Sequence, residues 1–151
     1  MFREIRERVS DPNIFRVYFT TFALGAAYGI AISVLAVHLD ARGFGKAAIG
    51  ELAAAFALGI IALSLPMGFL IQRYSAKSVL AASLFGYALT VGLFPLLHSY
   101  TAIAIVRFFD GACSVGVWVS SETILLARAR REHKAYVTSI YAIGIAVGYI
   151  V

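Results

Sequence analysis

Residues 101–127 read TAIAIVRFFDGACSVGVWVSSETILLA. The run is apolar and long enough to cross a bilayer, which takes about 20 helical residues. It also carries three ionisable side chains, Arg107, Asp110 and Glu122. A charge at membrane depth costs about 2.5–3.5 kcal/mol even on the lenient insertion scale, so the direction in which these groups point matters. On a helical wheel at about 100° per residue, with Arg107 at zero, Asp110, Gly111, Ser114, Trp118, Ser121 and Glu122 fall within about 60° on either side. Phe109, Ala112, Val115, Val119 and Leu126 occupy the other side. The segment is expected to be a two-faced membrane helix, greasy for lipid or packing on one side and polar on the other. Two readings of the polar face stand open. In one, Arg107 and Asp110, three residues apart, pair on a single turn inside a bundle. In the other, the face lines a polar cavity, with the Glu122 carboxylate about 22 Å along the axis from Arg107. Glu122 also has a local alternative, pairing with Arg128, about 9 Å further on, or with Arg130.

The rest of the chain agrees with a membrane setting. The 151 residues are 61% hydrophobic, and the mean hydropathy is +0.86. Soluble domains sit near 45–50% apolar, so an all-α integral membrane protein is expected. Apolar runs place complete spanning helices at 14–38, 47–71, 78–97 and 101–127. A fifth run, 135–151, is still apolar where the sequence stops, so the chain is expected to be the N-terminal portion of something longer. Residues 1–13 form a charged tail, with no cleavable signal pattern. The single cysteine, Cys113, excludes an internal disulfide. His38, His98 and His133 do not cluster, and neither a metal nor a cofactor is expected.

The net charge of +5 is read as topology rather than as a nucleic-acid surface. Arg3, Arg6, Arg8, Arg16, Arg73, Lys77, Arg128, Arg130, Arg131 and Lys134 fall on one side of the membrane, and Arg42 and Lys46 on the other. The N-terminus is therefore expected in the cytoplasm of a cell with the protein in its inner or plasma membrane, and the fourth helix runs inwards.

The first helix has its own polar line, Tyr18, Thr21, Gly25 and Tyr28. Gly25 with Gly29, and Gly144 with Gly148, form G-x-x-x-G spacings that let another helix come close, and Gly111 is small at the same kind of position. Ser10 or Asp11 can cap the first helix, with Pro12 in its first turn. Glu51 is expected in the first turn of the second helix, near its positive end, and Pro66 to kink that helix. Ser83, Tyr87 and Thr90 form a thin polar stripe on the third. The short link at 98–100 makes helices three and four an antiparallel hairpin.

These features carry a resemblance. The turn after the second helix, Gly68-Phe-Leu-Ile-Gln72-Arg73-Tyr-Ser75-Ala76-Lys77, resembles the signature G-x-x-x-D-R-x-G-R-R/K of major facilitator superfamily transporters. Gly68, Arg73 and Lys77 match it, while Gln72, Ser75 and Ala76 depart from it. Arg107 to Gly111 matches the family's R-x-x-x-G on helix four. Gly144 to Gly148 matches part of the exporters' G-x-x-x-G-P, with Tyr149 where the proline would be. Trp118, Ser121 and Glu122 with the following basic loop are similar to a YcaD-like bacterial branch. The resemblance implies the N-terminal part of a helical transporter bundle. It implies a small solute and protons as cargo, the bilayer and the remaining half as partners, and no enzyme chemistry. It also implies a cavity between helices one and four, lined by Tyr18, Thr21, Tyr28, Arg107, Asp110, Ser114, Trp118, Ser121 and Glu122. In this family the helix-four arginine is linked to proton coupling or substrate binding. The rival reading is a small helical scaffold or assembly subunit without transport.

Overall fold

A computed structural model of the chain describes residues 12–129, 131 and 134–150, with side chains from Tyr18 onward. The charged tail, the cap at Ser10 or Asp11, Arg16 as a side chain, Arg130, His133 and Val151 lie outside these described residues. The helices are α1 (Pro12–Ala41), α2 (Lys46–Tyr74), α3 (Ala76–Leu93), α4 (Tyr100–Arg128) and α5 (Lys134–Ile150). The first four are long and apolar enough to cross a membrane, and α5 is a shorter apolar helix.

The ends differ from the expected ones for identifiable reasons. The third helix stops as an α-helix at Leu93 and tightens into a 3-10 turn, Phe94–Leu96, where Pro95 lacks the N–H that would continue it. The second helix begins at Lys46, so Glu51 is not in its first turn, contrary to expectation. Glu51 instead accepts a hydrogen bond from the Tyr100 hydroxyl at 2.5 Å. Helix α2 runs on as a single element through Pro66.

Two connections are set by backbone geometry. Gly43, at φ 82°, closes the end of α1, where the amides of Gly43 and Phe44 bond back to Asp40 and Leu39. A single residue, Ser75, links α2 to α3 at φ 77°, ψ 146°. Its hydroxyl accepts from the Ser78 amide at 3.4 Å, capping α3.

The described residues group into two compact units, one from within 12–32 and 121–150, the other from 33–120. In the second unit Leu39, Leu52, Phe94 and Ile103 form one core, where α1 and α3 end and α2 and α4 begin. Arg42 fastens this region by donating to the Leu97 carbonyl and, at 3.0 Å, to that of Pro95. These are carbonyls the ending helix leaves without internal partners. A second core joins Met67, Val79 and Val115.

Helices α2 and α4 cross on glycines. A Cβ at Gly59 would lie 1.9 Å from the Phe108 carbonyl oxygen, and one at Gly111 would lie 2.0 Å from that of Phe56. In lipid, contact of this kind replaces the hydrophobic effect as the force between helices. The first unit uses the same device. A Cβ at Gly25 would meet the Ile145 oxygen at 2.6 Å, one at Gly148 the Phe22 oxygen at 2.6 Å, and one at Gly29 the Tyr149 oxygen at 2.9 Å. Leu125 and Tyr141 form its buried core. Gly144, expected to share this approach, does not: among the described residues nothing lies within 4 Å of a Cβ there.

Candidate functional site

The site in the second unit is built around α4. Arg107 is 8% exposed and Asp110 2% exposed. One residue each side of a helical turn brings their side chains together, and Arg107 Nη1 lies 2.5 Å from Asp110 Oδ2. The pairing that the spacing permitted is thus made. Together the two groups carry no net charge, which lowers the cost of holding either at membrane depth.

Other helices complete the surroundings. The Arg107 guanidinium lies over the Phe56 ring of α2, 4.3 Å from its centroid, and 5.7 Å from that of Phe94. Such contacts contribute about 2 kcal/mol when desolvated. From α3, the Thr90 hydroxyl lies 3.2 Å from Asp110 Oδ1 and 2.8 Å from the Tyr87 carbonyl. Ser114 turns back along its own helix, donating to the Asp110 carbonyl at 2.8 Å. Among the described residues, Arg107 Nε and the Ser120 hydroxyl are buried without a hydrogen-bond partner.

The remaining candidates fall elsewhere. Trp118 is half-buried on α4. Tyr18, Thr21, Tyr28, Ser121 and Glu122 belong to the first unit. There Thr21, Tyr28 and Ser121 are buried, and Tyr28 stacks edge-on with Tyr149 at 5.2 Å. Tyr18 donates to the Val137 carbonyl at 3.4 Å. Glu122 is half-buried and acts electrostatically on Tyr141 of α5. In the α2–α3 turn, Arg73 lies 5.6 Å from the Tyr74 ring centroid, Lys77 is exposed, and a Cβ at Gly68 would meet nothing within 4 Å.

Sequence reasoning did not select Thr90, Phe56, Phe94 or Gly59. Thr90 had a signal, since it lay on the Ser83/Tyr87/Thr90 stripe. All three are buried, and Ser83 sits against Gly116 of α4. A phenylalanine in an apolar helix gives no comparable sign.

Residues 17–151 match the family profile of the Major Facilitator Superfamily. The chain belongs to that superfamily. It is 23% identical over 139 residues to an uncharacterised MFS-type transporter of Methanocaldococcus jannaschii, covering 92% of this chain and 36% of that protein. It is 27% identical over 143 residues to the quinolone resistance protein NorA of Staphylococcus aureus, covering 91% of this chain and 37% of NorA. The chain thus spans a little over a third of the length of these curated relatives. As a superfamily member with four apolar helices of spanning length, it is an integral membrane protein. These relatives do not bear on the narrower YcaD-like likeness.

Proposed function

We propose that the chain forms part of a secondary transporter that moves a small solute by alternating access, with Arg107 and Asp110 on the path that links solute or proton to movement. The observation that carries this is the ion pair buried on α4, in a family of carriers. Buried ion pairs are weak devices for stability, because desolvation offsets much of their attraction. Ionisable groups at membrane depth are by default candidates for solute and proton routes. In this reading the partners are the bilayer, the solute, protons and the rest of the transporter, and the N-terminus faces the cytoplasm. Family membership supports a carrier rather than an enzyme. The scaffold alternative has no observation of its own in its favour.

The test is flux in proteoliposomes by the longest reading frame that contains this sequence. A quinolone is the first solute to try, because NorA is named for resistance to that class. Solute-dependent flux is expected there. The 151 residues alone are expected to carry none, since alternating access rocks two repeats about a central site. Arg107→Gln should abolish flux while the protein still inserts. Full flux in that variant would remove Arg107 from the path.

A further inference from the structure

We propose that Asp110 binds and releases a proton, and that Thr90 passes its charge state from α4 to α3. The proposal rests on the transporter reading for its purpose, though its chemistry stands on the geometry of the pair. A pair built only to neutralise two charges on one helical turn would be strongest with the bidentate fork of the guanidinium. Here one nitrogen of Arg107 reaches Asp110 Oδ2, while Nε, which could form the second prong, is buried with no hydrogen-bond partner among the described residues. The other carboxylate oxygen has a longer, shared contact, at 3.2 Å from the Thr90 hydroxyl.

Thr90 is suited to read the charge. It has one hydroxyl hydrogen and two acceptors in reach, the Tyr87 carbonyl and Asp110 Oδ1. When Asp110 is ionised, the hydrogen is shared with the carboxylate. When a proton from solvent binds Asp110, the carboxyl has its own O–H and donates to Thr90 Oγ1. The Thr90 hydrogen then belongs wholly to the Tyr87 carbonyl. The contact between α3 and α4 persists but reverses its direction. One proton is gained, and no other bond forms or breaks.

Arg107 stays charged throughout. The faces of Phe56 and Phe94 remain beneath it, so the cation keeps partners when its carboxylate is neutralised. Among the described residues, the groups placed around Asp110 are these. On α4 they are Arg107 and Cys113, whose thiol the Asp110 charge reaches. On α3 they are Thr90 and Tyr87, and from α2 the described neighbour of the pair is the apolar Phe56. At 2% exposure, Asp110 meets solvent only when the packing of α3 and α4 around it opens, which ties proton exchange to helix movement.

Infrared difference spectroscopy on the longest reading frame that contains this sequence, in lipid nanodiscs, tests this with pH as the perturbation. A carboxylic C=O band should appear and vanish reversibly with pH, and should be lost in Asp110→Asn. If that variant does not fold, Asp110→Glu should move the band instead. Thr90→Val should shift the midpoint of that titration, and Thr90→Ser, which keeps the hydroxyl, should not. Absence of any pH-dependent band that responds to the Asp110 variants overturns the proposal. An unmoved midpoint in Thr90→Val, with only lower thermal stability, reduces Thr90 to packing and overturns its part. In the transporting protein, flux with an unaltered pH profile in Asp110→Asn would overturn the proton role yet leave transport standing. A titrating Asp110 in a protein without flux would support the proton site and sink the transporter reading instead.

Discussion

Arg107 and Asp110 owe their stability to being together. Removing one partner of a buried pair leaves an uncompensated charge, at a cost of about 3–5 kcal/mol. Arg107→Gln or Asp110→Asn alone should therefore lower the unfolding midpoint strongly, and the double substitution should recover most of the loss. Thermal unfolding of the three variants in one detergent, as a double-mutant cycle, checks this; a double variant as unstable as the sum of the singles would show the pair uncoupled. Ser75 poses a different residue-scale case. At φ 77°, ψ 146° it occupies backbone territory that normally belongs to glycine, where strain costs about 1–3 kcal/mol. The superfamily signature has glycine at this place, and this chain has serine. Ser75→Gly should stabilise the protein by roughly 1 kcal/mol despite losing the long bond to the Ser78 amide, whereas Ser75→Ala keeps the strain and should destabilise it. The same unfolding assay separates the two. At this scale the sequence could show that Arg107 and Asp110 were able to pair. It could not decide whether they did, because Thr90 and Phe56, which fix the pair, come from other helices.

Helices were the most legible feature, since an apolar run of spanning length admits few alternatives in a bilayer. Their contact faces were less so. The spacing of Gly144 and Gly148 suggested that both touch a partner, yet only Gly148 meets α1. Gly59 has no glycine four residues away and still makes the tightest crossing with α4. A G-x-x-x-G pattern reports that a helix has a small-residue face, and the partner's position decides whether that face is used. The contrast is measurable. Gly59→Val would place atoms against the Phe108 carbonyl, and α2 and α4 must part. We expect a loss larger than the about 1–3 kcal/mol usual for overpacking. Gly144→Ala meets nothing and should be neutral or gain up to about 1 kcal/mol from helix propensity. Equal stability of the two variants would contradict the crossing.

For the whole molecule, the two units are built alike. Gly111 and Leu125 are spaced on α4 as Gly25 and Leu39 are on α1, and Gly148 and Tyr141 are spaced on α5 as Gly59 and Leu52 are on α2. Within one unit Gly25 meets α5 at Gly148, and Leu125 meets Tyr141. Within the other Gly111 faces α2 at Phe56 with Gly59 opposite, and Leu39 packs with Leu52. Inverted repeats produce this kind of correspondence within each unit. The sequence held the repeat only faintly, because the matching residues differ in type and their partners lie on different helices. The arginines and lysines carry an expectation of orientation that can be tested. Lys46 opens α2 and Lys77 follows its end, and both are exposed. The 29 residues of α2 span about 43 Å at 1.5 Å per residue, enough to put the two on opposite sides of a bilayer. The basic excess lies on the Lys77 side, which should be cytoplasmic. An impermeant thiol reagent applied to intact cells should therefore label Lys46→Cys and spare Lys77→Cys until the membrane is permeabilised, in a background where half-buried Cys113 is replaced by serine. The reverse pattern would invert the orientation, and labelling of both in intact cells would mean that α2 does not cross.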